Sequence, residues 1–571
     1  MHRRHLLQTF AAATVVGGFA PEIAQAAAQL SRGAAAGLDW RLGFADLDAD
    51  LAPAPMPRVQ GRAPAGLAGS LYRNGPGKFH RPGGSVGHWF DGDGLMRAFR
   101  VSGGEAALAA RFIDTAKRRT DIAAGAVVTP GFGTPARPGA QVGNNDDANA
   151  ANISVMPAGG ELWALWEAGS PIAVDPKDLS TKGVRTLRPD LAHMPFLAHP
   201  RPEPGGEVWN LGVSGAKAIV WRLAADGSVI SADLTDLPMA SYVHDFSATA
   251  RSLIVILQPW VQDHMSMPYG DSFRWKPELG VKVLVLDKAD LSRRRIYDLP
   301  PFFAFHYGAG WEEADGTIRF AGCLAPDASF ATQNGRSLMQ GVWTPEPSPG
   351  LALITLPPGG GGPARIERTG VTAEFPRSDA RFAGVAQRYT VHATGGANDG
   401  PLFHGLAVHD WKTGRSDSFQ FGPSHLVEEA VFTPRPGGAE ELDGWLLAPA
   451  STWQPGPRSC TCSTPAMWPT ARSAPGAPPA PCRSVCMGCS WPLKALSERP
   501  RLGVRRQARH GRCPRSRAEW NRALPPFLPM DVIPVSPQAK TGIHDRTRRH
   551  GDSEMPELEG GSRSLAAAKP G

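Results

Sequence analysis

Three histidines stand in distinctive surroundings: His199 in Leu197-Ala198-His199-Pro200-Arg201, His244 in Val243-His244-Asp245-Phe246, and His306 in Phe305-His306-Tyr307-Gly308. They are 45 and 62 residues apart. Two imidazoles four residues apart can bind a metal from one helix face, but this spacing cannot. The three can meet only if separate elements carry each of them to a common axis, as the inner strands of a β-propeller would. Neutral imidazoles suit divalent iron, copper or zinc. Taken singly, each reads first as a satisfied core or surface histidine, and spacing alone leaves the choice open. The run Asp91-Gly92-Asp93-Gly94 has the residue types of an acid/base pair or a calcium loop. It reads better as a structural turn that places Trp89 and Phe90.

The elements available to position such residues are short. Glu161–Glu167, Lys217–Leu223, Leu253–Leu257 and Val281–Leu286 have strand length and apolar or β-branched content. Gly, Pro and Asp separate them, as at Ala225-Asp226-Gly227, Ala314-Asp315-Gly316 and the Pro/Gly run 357–363. Long amphipathic helical periods are scarce. Many short strands indicate a sandwich, a barrel or a propeller. The segment 38–453 is too long for one sandwich, and six to eight propeller blades fit it, although no clean repeat marks them. The 571 residues carry a net charge of +7, are 42% hydrophobic and include 65 Gly and 55 Pro. That excludes a disordered, collagenous or coiled-coil chain, and no long uncharged apolar window allows a multi-span membrane protein.

Leu71-Tyr-Arg-Asn-Gly-Pro-Gly-Lys-Phe79, followed by His88-Trp-Phe-Asp-Gly-Asp-Gly94-Leu-Met-Arg-Ala-Phe99, resembles the signature of the carotenoid cleavage oxygenase family. Further matches follow in order: Ala151-Asn152, Leu165-Trp166-Glu167, Ala198-His199-Pro200, His244-Asp245-Phe246, His306 with Trp311-Glu312-Glu313, and Glu374-Phe375-Pro376-Arg377. The resemblance runs over about 38–450. It implies an all-β, seven-bladed β-propeller with a loop and helix cap over the metal face. It also implies a mononuclear non-haem Fe(II) on four histidines, an apolar tunnel, and cleavage of a conjugated C=C bond by O2 into two carbonyl products. His199, His244 and His306 match three of the ligands. Glu167, Glu374 and Glu429 match the glutamates that hold ligand imidazoles, with Glu428 an adjacent competitor and a solvated strand-end carboxylate the plain alternative. Phe112 stands where stilbene-cleaving members place Tyr, and Gly131-Phe132-Gly133-Thr134 is similar to the apocarotenoid-cleaving branch. Phe112 and Phe132 are therefore the expected substrate contacts, and an apocarotenoid or other long polyene is preferred over a hydroxystilbene. Uptake of such a substrate from a membrane surface is a further expectation. The alternatives are a non-catalytic propeller that binds an apolar ligand, and isomerisation on the same scaffold.

The fourth ligand of the family lies in a Pro-Phe-Gly-Phe-His-Gly-like strand near the C-terminus, and this sequence has none. Apolar alternation ends near Thr452, and His510, His544 and His550 lack the required context. From Gln454 onward there are 19 Lys and Arg against 8 Asp and Glu, which leaves 41 against 45 in the remainder. A mildly acidic body argues against nucleic acid as a partner. Six of seven cysteines (Cys460, Cys462, Cys482, Cys486, Cys489 and Cys513) lie in this tail, without the paired spacing of a zinc module. Codon arithmetic suggests its origin. Cys486-Met487-Gly488 is encoded TGY-ATG-GGN, which reads His-Gly two bases along when Y is C. The same shift over 481–491 permits Leu-Pro-Phe-Gly-Leu-His-Gly-Leu-Phe-Val. The expectation is a frameshift between about 450 and 460, an incomplete last blade, an aberrant disordered tail over 454–571, and weakened iron binding in the literal chain.

The N-terminus reads as an address. Arg3 and Arg4, a small apolar run from Phe10 to Ala20, and Ala24-Gln25-Ala26 form a twin-arginine-type export signal over 1–26. Its partner would be the twin-arginine export machinery and its destination the periplasm. An unused signal would leave the chain cytoplasmic.

Overall fold

The computed structural model describes residues 40–452, apart from 59, 60, 62, 65, 361, 362, 396–402, 423 and 424, and the backbone of four further strands between 459 and 492. They belong to a compact unit spanning Met1–Ala508. The export signal and the three tail histidines lie outside the described residues.

Seven antiparallel sheets follow one another along the chain as the blades of a β-propeller. The first strands of blades 2 to 6 are Ser154–Ala158, Arg201–Pro202, Ser247–Ala248, Tyr307–Glu312 and Glu374–Arg377. Each lies innermost in its sheet. The second and third strands are buried on both faces, so their sequences read as continuous apolar runs; Ser252–Leu257 is wholly buried. The fourth strands face solvent, as the nearly fully exposed Arg415–Gln420 illustrates. The reversals fall on the glycines the sequence marked. Gly227 and Gly316 have φ of 85° and 87°, a region open to glycine at no steric cost.

Blade 1 is built from Gly69–Lys78, Asp93–Ser102 and Glu105–Phe112, and the N-terminal strand Leu51–Met56 pairs on its outside. In blade 7, His425–Val427 and Val431–Pro434 both pair with Gly444–Thr452. The strand pattern was expected to end there. The backbone instead continues the sheet through Thr464–Pro469, with Trp445 opposite Pro469 and Ala450 opposite Thr464, and then through Val485–Cys486. The free edge of Gly444–Thr452 accepts a following extended segment because its N–H and C=O groups need partners whatever the side chains are.

The core is a ring of wedges between neighbouring blades. Met96, Ile113 and Ile172 fill the first, Trp163 and Trp221 the second, Leu211 and Val255 the third. Val283 and Phe320 fill the fourth, Cys323 and Leu351 the fifth, Val391 and Leu446 the sixth. Phe99, Leu108, Trp445 and Leu447 close the ring between blades 7 and 1. Cys323, the one body cysteine, is thus a small wedge residue, and burial pushes its thiol pKa well up.

The cap is made of the turn Trp89–Asp91, the helix Ala116–Ala124 and the helical segment from Phe330 to Gln340. The two halves of the signature meet beneath it. Asn152 Nδ2 donates to the carbonyls of Phe90 and Gly92 at 2.8 and 2.7 Å. Gly94 lies so close to Ala151 that a Cβ would sit 2.1 Å from that carbonyl oxygen. Asp91 accepts from Phe132 N at 2.6 Å, Gly133 N at 2.9 Å and Thr134 Oγ1 at 2.7 Å, a structural part.

Candidate metal centre

His199, His244 and His306 stand just ahead of the inner strands of blades 3, 4 and 5, at the strands' N-terminal ends. All three point to the axis. Their Nε2 atoms are 3.0 Å apart for His199 and His244, and 3.3 Å apart for His244 and His306. One ligand atom from each falls within 4.8 Å of the others. No other group of three or more such ligand residues occurs among the described residues.

Carboxylates fix two of the rings. Glu167 Oε1 lies 2.9 Å from His244 Nδ1, and Glu374 Oε2 lies 2.8 Å from His306 Nδ1. An ionised carboxylate only accepts, so each Nδ1 carries the proton and each Nε2 is left with a bare lone pair. Glu167 is free to reach because its strand ends at Leu165. Its Oε1 also accepts from Tyr242 Oη at 2.8 Å, a residue the sequence reading passed over. Glu374 is aimed by its neighbour. Phe375 has φ of 56°, in the left-handed region that costs a non-glycine residue about 1–2 kcal/mol. That turn also lays the Phe375 ring 4.8 Å from His306.

Two lone pairs facing each other at about 3 Å repel unless a proton or a cation lies between them. Donors about 2.1 Å from one metal stand about 3.0 Å apart at right angles and about 3.4 Å apart in a tetrahedron. The two spacings from His244 match that range, and the third ligand atom lies within 4.8 Å of the others, so these residues fit a divalent transition metal with three nitrogen donors. Burial, followed by the neighbouring imidazoles, holds the pKa of His199 well below its usual value. For His244 burial also pushes downward, but the carboxylates of Glu167, Asp245 and Glu374 together offset it and the net shift is upward.

Glu429 stands elsewhere. Its carboxylate pairs with Arg377 and, at 3.4 Å, with Arg73. Burial opposes its charge, but these arginines hold its pKa far below the carboxylate range. It touches none of the three imidazoles. Glu428 turns to the other side, where Arg97 Nη2 donates to it at 2.9 Å and Arg73 Nε at 3.2 Å.

An aromatic wall faces the imidazoles from the cap. Phe305 packs edge-on against His244 at 5.4 Å and against Phe90 at 5.7 Å. Phe132 joins Phe90 at 5.3 Å and Tyr242 at 6.0 Å, so it adjoins this wall. Phe112, expected beside it, packs in a separate cluster with Leu95 and Ala110, under the guanidinium of Arg118. It is the last residue of its strand, and the pleat turns it into the flank of blade 1.

A seven-bladed propeller with axial histidines and an aromatic cap defines the carotenoid cleavage oxygenase class of oxidoreductases. Residues 44–456 match the model of the retinal pigment epithelial membrane protein (RPE65) family, and the chain belongs to that family. It is 28% identical over 425 residues to the apocarotenoid-15,15'-oxygenase of Synechocystis, covering 68% of this chain and 83% of that protein. It is 26% identical over 421 residues to resveratrol cleavage oxygenase 1 of Aspergillus fumigatus, covering 68% and 83%. A solved structure of cobalt-substituted Synechocystis apocarotenoid oxygenase shares the fold, with a TM-score of 0.66, 22% identity, and coverage of 79% of this chain and 95% of that one. The activity of the class is dioxygenase chemistry, the oxidative cleavage of a C=C bond.

Proposed function

We propose that the chain is an Fe(II)-dependent dioxygenase that cleaves a conjugated C=C bond of an apocarotenoid-like polyene. One atom of O2 enters each of the two carbonyl products. The observation that carries this reading is the convergence of three imidazole Nε2 atoms, two of them left with bare lone pairs by carboxylates on Nδ1, beneath an aromatic wall. A ferrous ion on His199, His244 and His306 would supply the redox chemistry that lets dioxygen react with an alkene. The chain's own residues do the rest. Glu167 and Glu374 keep the Nδ1 protons in place and the Nε2 atoms bare. Phe305, Phe90 and Phe132 present ring faces and edges to a flat apolar chain and exclude water from it.

The polyene is preferred over a hydroxystilbene because the phenol beside His244, Tyr242, already donates its hydrogen bond to Glu167. A site that selects a hydroxyl needs uncommitted polar partners. The family's fourth histidine has no counterpart in the sequence, so the literal chain binds iron less tightly than its relatives and turns over slowly. The frameshift accounts for this, and resequencing the source DNA across codons 440–495 tests it. Export through the twin-arginine route and substrate uptake at a membrane surface complete the reading.

The test is turnover under 18O2 by the iron-loaded chain and by its frame-corrected form, with an apocarotenal and with a hydroxystilbene. The expected result is two aldehydes or ketones, each one 18O heavier, from the apocarotenal and in higher yield from the corrected form. Products without added oxygen would indicate isomerisation. Preferred cleavage of the hydroxystilbene would reverse the substrate assignment. Failure of both forms to retain iron would leave a non-catalytic propeller that binds an apolar ligand.

A further inference from the structure

The three imidazoles come from segments that share no strand, so something must fix their mutual spacing. One ion pair touches all three segments, with Asp245 buried and Arg201 part-buried. Arg201 lies two residues after His199, and Asp245 follows His244 directly. Arg201 Nη2 donates to Asp245 Oδ1 at 2.7 Å and to the carbonyl of Tyr307, the residue after His306, at 3.0 Å. Its Nε donates to the Phe246 carbonyl at 2.7 Å, which Nη2 also approaches. Asp245 completes the lattice, accepting from Phe246 N at 2.7 Å through Oδ1 and from Tyr307 N at 2.9 Å through Oδ2. Its side chain is 3% exposed.

Stability alone does not account for this pair. A buried ion pair gains little over apolar residues of the same volume, because desolvation cancels most of the attraction. It does add direction. The guanidinium and the carboxylate are both planar, and their hydrogen bonds run in fixed directions to the backbone beside each ligand. We propose that Arg201 and Asp245 are positioning residues that set the spacing of the three Nε2 atoms, and so the affinity and geometry of the metal site, without touching metal or substrate. This rests on the metal-centre reading above.

Two measurements on the full chain test it. The first is the crystal structure of metal-free wild type and of Arg201→Lys, which keeps the charge but loses the planar fork. The Nε2 spacings of 3.0 and 3.3 Å are expected to widen by about 1 Å or more in the variant. The second is Co(II) titration followed by visible absorption, for wild type, Arg201→Lys, Asp245→Asn and Glu441→Gln. Glu441 accepts from the backbone N–H groups of Arg388 and Tyr389 at 3.0 Å between blades 6 and 7, away from the ligand segments, so its variant reports ordinary destabilisation. The Arg201 and Asp245 variants are expected to bind Co(II) at least about tenfold more weakly, with a shifted ligand-field band. Glu441→Gln is expected to lower the melting temperature with neither change. Unaltered spacing in Arg201→Lys, or a Co(II) spectrum and affinity that follow only the loss of stability, would overturn the proposal. Wild type that binds no Co(II) would sink the metal reading, and the crystallographic spacing would still decide the clamp.

Discussion

Glu374 and His306 are 68 residues apart in sequence and 2.8 Å apart in space, with the carboxylate oxygen on Nδ1 and the opposite ring nitrogen directed to the axis. His244 repeats the arrangement with Glu167 at 2.9 Å. The two pairs decide the tautomer of both rings, and with it which nitrogen can donate electrons to a cation.

Replacing Glu374 by Gln keeps the shape but removes the charge that stabilises the Nδ1 proton. Iron affinity is expected to fall by about ten- to a hundredfold with little change in the far-ultraviolet circular dichroism. Competition with a calibrated chelator measures it. Affinity within a factor of two of wild type would show that the carboxylate has no part in orienting the ligand.

The seam between blades 7 and 1 gives a stability prediction. Glu428 meets Arg97 and Arg73, and its side chain is 24% exposed. Glu428→Ala takes a carboxylate partner from two mostly buried guanidinium groups, Arg73 keeping Glu429, and is expected to cost about 1–3 kcal/mol. Urea unfolding at neutral pH reads this directly. A loss below about 1 kcal/mol would mean that the apolar wedge of Phe99, Leu108, Trp445 and Leu447 closes the ring without help.

Acid sensitivity is expected from the cap. His88 is fully buried. Its Nδ1 accepts from Phe90 N at 3.0 Å, and its Nε2 bonds the Ala331 carbonyl at 3.0 Å. Burial pushes its pKa from 6.5 down to about 3, against the pull of that carbonyl. Between these values the unfolded chain binds the extra proton, so the contribution is whole above about pH 6.5 and is lost as the pH falls towards 3. Melting temperature in chelator should therefore decline from pH 7 to pH 5, and His88→Gln should flatten that decline while starting from a lower value. Parallel curves for the two proteins would rule His88 out as the cause.

Gly335 tests the same contact sterically. A Cβ there would lie 2.1 Å from His88 Nε2. Gly335→Ala must displace the ring and break its bond to Ala331, at a cost of about 1–3 kcal/mol. Limited proteolysis should then cut the cap around 325–345 sooner than in wild type. An unchanged cleavage pattern would mean that the cap adjusts without loss.

The ligand histidines and two of their glutamates were legible through the resemblance of their motifs alone, since distant residues that meet on an axis leave no spacing pattern in the sequence. Arg201 and Asp245 lay inside those same motifs and gave no signal of their own, since they act mainly on backbone groups, which leave no pattern in side-chain sequence. Tyr242 was hidden for a similar reason, being one apolar-looking residue near His244. Phe112 was misplaced because the end of a strand can turn to either side, and only the packing of blade 1 decides which. Glu428 and Glu429 could not be told apart from sequence, because neighbouring residues of an extended chain face opposite ways and both found arginines. The blade count came from resemblance, since no repeat is written in the residues themselves.

The ion pairs of Arg73 with Glu428 and Glu429 join residues 355 and 356 positions apart. During synthesis the first blade leaves the ribosome long before its closing neighbour exists. Until about residue 450 emerges, one side of every nascent molecule remains an unsealed gap, with two arginines and an apolar strip facing water. A change of sequence just past that point would act at the moment of closure, and its first effect would be on the yield of finished rings rather than on the chemistry at their centre.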